Sequence, residues 1–218
     1  ALQQPLNLGA DIVIHSTTKY INGHSDVVGG AVIAKSQELF ERLKYWANCL
    51  GLTASPFDAY LTLRGLRTLK ARLNLHLANT KAIVRVLGAH AAVQKVHYPG
   101  LKDHPGHAIA VKQQSGFGAM ISFELQDTEE VKAFLAKLRY FSLAESLGGV
   151  ESLIAHPASM THASMDPQAR QTAGISDGLL RLSVGIEDAD DLSEAVQDAL
   201  DAVLEFRHSA RETANVHA

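Results

Sequence analysis

The sequence predicts an α/β protein in which strands of an α/β sheet come first and a compact α+β domain follows. Two apolar runs rich in β-branched residues, at 12–14 and 27–34, do not alternate with polar residues, so we expect buried strands. Leucines at helical spacing continue for more than twenty residues beyond Gly65, which predicts a long connecting helix. Strand and helix patterns then mix as far as residue 206, which is typical of an α+β domain.

Capping residues and periodicity define the elements in order. Ser36 is expected to cap a helix that ends at Gly51, and Ser55 to cap the next one, with Pro56 in its first turn. In the second domain the patterns predict strands at 93–98, 118–125, 141–144 and 179–184, and helices at 129–138, 167–173 and 191–206. The polar and aperiodic residues 207–218 predict a flexible tail.

Composition narrows the class of protein. The chain has 218 residues, 46% of them hydrophobic, which is enough for a globular protein with a real core. A formal charge of −3 argues against a general attraction to nucleic acid or to an anionic membrane. No apolar run approaches the roughly 18 residues of a membrane span. The single cysteine, Cys49, excludes an internal disulfide framework and fits a reducing, cytoplasmic compartment.

The segment after the first predicted strand carries the strongest chemical signal. Lys19 follows that strand, with the hydroxyl residues Ser16 and Thr18 close before it. The carboxyl end of a strand in an open α/β sheet is where ligands usually bind. An amine in a partly dry pocket loses its proton more easily and can form an imine with an aldehyde, and hydroxyls can hold a phosphate. These residues suggest a pyridoxal phosphate site, although a lysine in an exposed polar loop fits them too.

Other enzyme motifs are incomplete. Ser16 and Lys19 match the Ser-x-x-Lys signature of penicillin-recognising acylases, but the companion Ser-Asp-Asn and Lys-Thr-Gly tripeptides do not occur. The hydrolase pattern Gly-x-Ser-x-Gly begins at Gly23 and fails at Val27. The Gly-x-Gly at 116–118 lacks the third glycine of a dinucleotide fingerprint.

Histidines and basic side chains are expected to be solvated. His97, His104 and His107 have no cysteine companion and no rigid ligand spacing, so we expect no metal site. No aromatic stacking groups accompany the basic residues of the long helix, which we interpret as solvated charges and not as a nucleic-acid surface: Arg64, Arg67, Lys70, Arg72, Lys81 and Arg85.

Two later segments hold further candidate site residues. Arg181 lies within an otherwise apolar predicted strand, and a buried guanidinium needs an anionic partner such as a ligand carboxylate or an internal acidic residue. Glu145 and Ser146 follow another predicted strand and precede two glycines. They form either a simple turn or a polar segment that approaches a ligand.

Six segments, taken together and in order, carry a family resemblance: 16–26, 63–69, 115–118, 143–153, 156–162 and 180–188. They resemble motifs of the Cys/Met-metabolism family of pyridoxal-phosphate enzymes, over about residues 1–205. The resemblance implies the aspartate-aminotransferase-like (type I) fold and a homotetramer built from tight dimers. Residues 1–72 would end the large cofactor-binding domain and start the connecting helix, and residues 73–206 would form the C-terminal α+β domain.

The resemblance also assigns roles. Lys19 would hold pyridoxal phosphate as a Schiff base, and Ser16 and Thr18 would bind its phosphate. Arg181 would pair with the substrate α-carboxylate, assisted by Ser146, while Glu145 would face the side-chain end of the substrate. The family's ring-pairing aspartate, stacking tyrosine and glycine-rich loop lie upstream of the lysine motif and are not in this sequence. We therefore expect a preceding N-terminal half that carries them and supplies neighbouring strands to those at 12–14 and 27–33.

The choice of reaction also follows from resemblance. Residues 45–48 and 145–152 look most like those of family members that replace the γ-substituent of an O-acylhomoserine with cysteine, giving cystathionine. Members that cleave cystathionine at the γ carbon come next, followed by O-acylhomoserine sulfhydrylases and enzymes that split methionine. A non-catalytic half that serves only as an interaction partner is the alternative of a different class.

Overall fold

The observed elements follow the predicted order closely. The computed structural model describes residues 1–216, apart from the side chains of residues 211 and 213–216. Its first part contains a 3-10 turn, two strands, a π-helical turn between them and two helices: Pro5–Leu8, β1 (Ile12–Ser16), Thr17–Ile21, β2 (Gly30–Ala34), α1 (Gln37–Leu50) and α2 (Pro56–Ala89). The rest contains β3 (Lys95–His97), α3 (His107–Gln113), β4 (Met120–Glu124), α4 (Thr128–Lys137), β5 (Ser142–Leu143), β6 (Leu153–Ala155), α5 (Pro167–Thr172), β7 (Leu179–Ser183) and α6 (Ala189–Val216).

Strands β1 and β2 exist, but the prediction that they are buried is wrong. They pair antiparallel with each other, from Ile12 opposite Ala34 to Ser16 opposite Gly30, in a sheet of two strands. The Ile14 side chain is 76% exposed, and Val28, just before β2, is 89% exposed. The apolar pattern of β1 and β2 is typical of strands with a helix layer on both faces. In this structure the two-stranded sheet is not covered in that way, so most of its side chains are exposed.

Helix α2 is the predicted connecting helix, and it is a single element of 34 residues. The Ser55 side chain accepts a hydrogen bond from the Asp58 amide, as the predicted cap requires. Gly65 lies within this helix because of a close approach: a Cβ there would lie 2.2 Å from the Asn22 carbonyl oxygen. The helix therefore contacts the backbone of the first part and then continues into the second.

The C-terminal sheet has the strand order β3-β4-β7-β6-β5, antiparallel except for the pair β5 and β6. Strands β3, β4, β5 and β7 lie within their predicted ranges, but β6 was not predicted, because its three apolar residues do not alternate with polar ones. Helices α4, α6 and α2 cover one hydrophobic core, whose largest fully buried side chains include Phe123, Phe134, Leu182 and Leu200.

The prediction of a flexible tail from residue 207 is wrong for residues 207–216, because helix α6 continues ten residues past Phe206, to Val216; residues 217 and 218 lie outside the described residues. Arg207 anchors this part of the helix: its Nη2 lies 2.8 Å from a carboxylate oxygen of Glu130, which is only 2% exposed. This bond raises the pKa of Arg207, although partial burial acts in the opposite direction. Among residues 1–216, no helix combines the length and apolar character needed to cross a membrane.

Candidate active site

The predicted lysine lies in a short irregular turn directly after β1. Residues Thr17–Ile21 form a single π-helical turn, within which Lys19 departs from helical geometry with φ −92° and ψ −137°. The turn is held from one side by Gly29, whose carbonyl accepts from the Thr17 amide at 2.9 Å and whose amide donates to Thr18 Oγ1 at 3.0 Å. Ser16 is exposed at the start of the turn.

The amine of Lys19 points at the C-terminal part of the chain. Its Nζ donates a hydrogen bond to Ser146 Oγ over 3.1 Å. Ser146 belongs to the loop between β5 and β6. This loop is the polar segment before two glycines that was predicted to form a turn or to approach a ligand. The fold thus brings together the predicted lysine and one of the predicted substrate contacts.

Gly148 allows the loop to come this close. Its φ of +77° is a left-handed conformation, and a Cβ there would lie 2.8 Å from the Tyr20 amide nitrogen. The Gly148 amide also donates to the buried Ser183 Oγ at 2.8 Å, at the end of β7. The loop is therefore held between the Tyr20 backbone on one side and the end of β7 on the other.

Arg181, in the middle of β7, contacts the same loop as Lys19. Its Nη2 donates to the carbonyl oxygens of Glu145 at 2.8 Å and Ser146 at 3.3 Å. The side chain is partly exposed and not buried as expected, and no carboxylate among the described side chains lies within ion-pair distance of it. Within the same part of the chain its Nε and Nη1 donate no hydrogen bond, so the N–H groups of these two nitrogens remain available for a ligand.

The predicted site residues therefore form two groups. Lys19, Ser146, Arg181 and the Glu145 backbone are joined by hydrogen bonds, and the Glu145 carboxylate extends from this loop into solvent. Ser16 and Thr18 flank the lysine on the β1 side, and among the described side chains neither hydroxyl is hydrogen-bonded to Ser146 or Arg181.

The expectation that Arg72 is a solvated charge is wrong. Its side chain is 6% exposed and donates to the carbonyls of Tyr20 at 2.9 Å, Ile21 at 3.3 Å and Gly65 at 2.7 Å. Burial lowers the pKa of this guanidinium. The contact could not be predicted from helical spacing, because Arg72 faces the lysine turn only where that turn folds back onto α2. The one indication in the sequence was the nearby Gly65, since a glycine within a helix can mark a close approach.

Behind Tyr20 lies a second buried polar side chain that the sequence did not point to. The His76 ring is fully buried, its Nδ1 lies 2.7 Å from the Val184 carbonyl oxygen, and its edge contacts the Tyr20 ring. Burial is the main cause that lowers the pKa of His76 and raises that of Tyr20. The wall behind the lysine turn is therefore largely shielded from solvent, although it contains polar groups.

The three histidines considered for a metal are bound to protein groups. His97 Nε2 lies 2.6 Å from Glu124 Oε1, His104 Nδ1 accepts from the Gly106 amide, and His107 Nδ1 lies 2.8 Å from the Pro99 carbonyl oxygen. Over residues 1–216 no three His, Cys, Asp or Glu side chains are grouped as metal ligands.

The donor set fits a phosphate-bearing aldehyde cofactor. A lysine amine stands at the carboxyl end of a strand, with two hydroxyl side chains beside it. The glycine at 148 keeps the opposing loop close, where any Cβ would push it from Tyr20. Thr18 Oγ1 reaches the Gly29 carbonyl only at 3.4 Å, so its proton is weakly held and can turn to a phosphate oxygen.

Comparison with known proteins gives a consistent result. The family model described as Cys/Met metabolism PLP-dependent enzyme matches residues 1–201. The chain is 58% identical over 193 residues to a cystathionine gamma-synthase of Escherichia coli strain K12, covering 88% of this chain and 50% of that protein. It is 54% identical over 200 residues to a cystathionine beta-lyase of Lactococcus lactis subsp. cremoris strain MG1363, covering 92% and 53%.

A solved relative has the same fold. The crystal structure of cystathionine gamma synthase from Xanthomonas oryzae pv. oryzae in complex with aminoacrylate and cysteine superposes with a TM-score of 0.90 at 64% identity. The match covers 94% of this chain and 53% of that one, so the chain spans about half the length of the relatives it matches.

Proposed function

Because this chain belongs to the Cys/Met-metabolism family of PLP-dependent enzymes, which has the type I fold, we propose that the native protein is a transsulfuration enzyme. The proposed reaction is that of cystathionine γ-synthase, in which the cysteine sulfur replaces the γ-acyloxy group of an O-acylhomoserine, giving cystathionine and releasing the carboxylate. The observation that carries the proposal is the 3.1 Å contact between Lys19 Nζ and Ser146 Oγ, beside the open donors of Arg181.

Lys19 is proposed to hold the cofactor and to move protons. Pyridoxal phosphate, when bound, supplies an electron sink for negative charge that develops at the substrate α and β carbons. The Lys19 amine is the base that takes the α-proton, and Ser146 Oγ orients that amine from 3.1 Å. Ser16 and Thr18 are proposed to donate their hydroxyl protons to the phosphate, because they flank the lysine at the end of β1.

Arg181 is proposed to bind the substrate α-carboxylate. A guanidinium whose Nε and Nη1 are unused can donate a charge-assisted hydrogen bond to a carboxylate, which restrains the position of the α carbon. The third nitrogen is already occupied by the Glu145 and Ser146 carbonyls, so the fork cannot rotate freely. This arrangement positions the α-proton relative to the Lys19 amine.

Glu145 is proposed to select the side-chain end of the substrate. Its backbone is held by Arg181 while its carboxylate is exposed on the same loop. A carboxylate attracts the ammonium group of an incoming cysteine or of the distal end of cystathionine, and it disfavours an apolar end such as that of methionine.

The native protein is also proposed to contain an N-terminal half and to form a homotetramer of two tight dimers. The N-terminal half would supply the family's ring-pairing aspartate, stacking tyrosine and glycine-rich loop. The proposal also includes a cytoplasmic location, which the exposed, unpaired thiol of Cys49 supports because reducing compartments keep such thiols free.

A product assay on the native protein tests the proposal. Formation of cystathionine from O-acylhomoserine and cysteine, faster than any cleavage of cystathionine alone, is the expected result. The second candidate is cystathionine cleavage, which the similarity to a beta-lyase favours. If cleavage dominates, that candidate replaces the synthase, and if neither reaction occurs with cofactor bound, a non-catalytic interaction half is the remaining account.

A further inference from the structure

We propose that Arg72 is a positioning residue for Lys19, a role that deepens the proposed function and rests on it. The Arg72 guanidinium lies in the middle of α2, 52 residues after Tyr20, yet it donates to the Tyr20 carbonyl at 2.9 Å and to the Ile21 carbonyl at 3.3 Å. These are the first two carbonyls after Lys19. Holding them in place restrains the backbone that continues directly from Lys19.

The guanidinium itself is fixed from the helix side. Its Nε donates to Thr68 Oγ1 at 3.0 Å, and its Nη2 donates to the Gly65 carbonyl at 2.7 Å. Four hydrogen bonds thus join one side chain to two helix groups and two turn groups. A planar fork with five donors can do this, whereas the point charge of a lysine cannot.

Two glycines make room for the arrangement. A Cβ on Gly23, which has φ +73°, would lie 2.1 Å from Arg72 Nη1. A Cβ on Gly65 would lie 2.2 Å from the Asn22 carbonyl oxygen. The segment that follows Lys19 therefore contacts both Arg72 and the α2 backbone closely. We infer that the shape of the lysine turn depends on the Arg72 side chain.

Burial of the charge argues against a packing role alone. Arg72 is 6% exposed and has no carboxylate partner among the described side chains, so the cost of its desolvation is offset only by neutral acceptors. An apolar side chain would fill the same space without that cost. What the guanidinium adds is direction, because each N–H requires its carbonyl to point at it. Lys19 needs such support, since its φ and ψ lie outside the helical range of its neighbours.

The test measures how fast Lys19 captures pyridoxal phosphate, independently of turnover. Cofactor-free native protein is mixed with pyridoxal phosphate, trapped with borohydride at intervals, and the labelled Lys19 peptide is quantified by mass spectrometry. Arg72→Met should slow labelling at least about ten-fold, because it removes several charge-assisted hydrogen bonds. Arg72→Lys should recover part of that rate. Arg85→Met, the same change at an exposed position of α2, should label like wild type.

A milder variant covers the case in which Arg72→Met does not fold. Thr68→Val keeps the side-chain shape and removes the oxygen that accepts from Arg72 Nε, together with the bond of that hydroxyl to the Gly65 carbonyl, so labelling should slow by about two- to five-fold. In active variants, kcat should fall more than KM rises, since Arg181 remains intact. A wild-type labelling rate in folded Arg72→Met, or in Thr68→Val where Arg72→Met does not fold, would overturn the inference alone, whereas absence of Lys19 labelling in wild type would overturn the proposed function with it.

Discussion

Lys19 Nζ and Ser146 Oγ are 3.1 Å apart although 127 residues separate them in the sequence. The lysine belongs to the turn after β1, and the serine belongs to the loop between two strands of the C-terminal sheet. Their contact therefore joins the two parts of the chain at the candidate site. Any change that alters the approach of this loop to the turn should affect the chemistry of the lysine.

Gly148→Ala should move the loop that contains Ser146 away from the Lys19 turn. Alanine at φ +77° is strained, and its Cβ would meet the Tyr20 amide at 2.8 Å, so we expect a loss of about 1–3 kcal/mol in the free energy of unfolding. Gly88→Ala is the matched control, because a Cβ there meets nothing within 4 Å and the helix should gain about 0.5–1 kcal/mol. Urea denaturation of the native protein measures both, and equal effects at the two glycines would show that the close approach is not required.

Arg181→Lys should weaken capture of amino-acid substrates about ten-fold or more. A charge-assisted hydrogen bond contributes roughly 1.5–3 kcal/mol, and an ammonium cannot reproduce the planar guanidinium that contacts the loop carbonyls and a ligand at the same time. The measurement is kcat/KM beside that of Arg139→Lys, an exposed arginine in surface ion pairs with Glu194 and Asp198. Unchanged kcat/KM in a folded Arg181 variant would leave this residue only its contacts with the loop.

Glu145→Ala should change the choice of substrate and not the chemistry. The ratio of kcat/KM for cystathionine to that for methionine should fall, since the carboxylate that attracts a distal ammonium is gone. Glu205→Ala removes an exposed carboxylate of α6 and serves as the control. A ratio that stays constant, or an equal collapse of both activities, would remove Glu145 from the selection of substrate.

His76 should make the fold less stable in acid. Burial lowers the pKa of the folded-state ring below its usual 6.5, and nearby Arg72 lowers it further, although the Val184 carbonyl and Glu187 oppose this. The unfolded chain therefore binds a proton below pH 6.5 that the folded chain does not, so the stability present above that pH is lost as the pH falls. The loss approaches about 1.4 kcal/mol per pH unit.

Urea denaturation at pH 7.5, 6.5 and 5.5 checks this effect. His76→Gln retains a donor for the Val184 carbonyl but does not titrate. Its free energy of unfolding should fall less between pH 6.5 and 5.5 than that of wild type. Parallel curves for the two proteins would mean that His76 does not contribute to the acid sensitivity.

The sequence predicted those features that depend on local chemistry. Ser36 and Ser55 cap helices, Gly51 ends one, and four of the five strands of the C-terminal sheet lie within their predicted ranges. Local patterns could not show which faces are covered, so the burial of β1 was predicted wrongly. They also could not show Arg72 folding onto a turn 52 residues away.

The candidate site shows the same division. Residue types near Lys19 suggested a cofactor, but only the family resemblance placed Ser146, Arg181 and Glu145 with it. The structure links these residues through hydrogen bonds, while the roles assigned to them stay predictions. The partner of Arg181 could not be read from an apolar strand, because backbone carbonyls of a loop 35 and 36 residues away leave no mark in its sequence.

Identification of the lysine that binds pyridoxal phosphate tests the central claim most directly. The native protein is reduced with borohydride in the presence of the cofactor, digested and mapped by mass spectrometry. The label should lie on Lys19, Lys19→Ala should lose both the label and turnover while remaining folded, and Lys35→Ala, a change at an exposed lysine just after β2, should lose neither. A label on any other lysine of a folded, active protein would contradict the account.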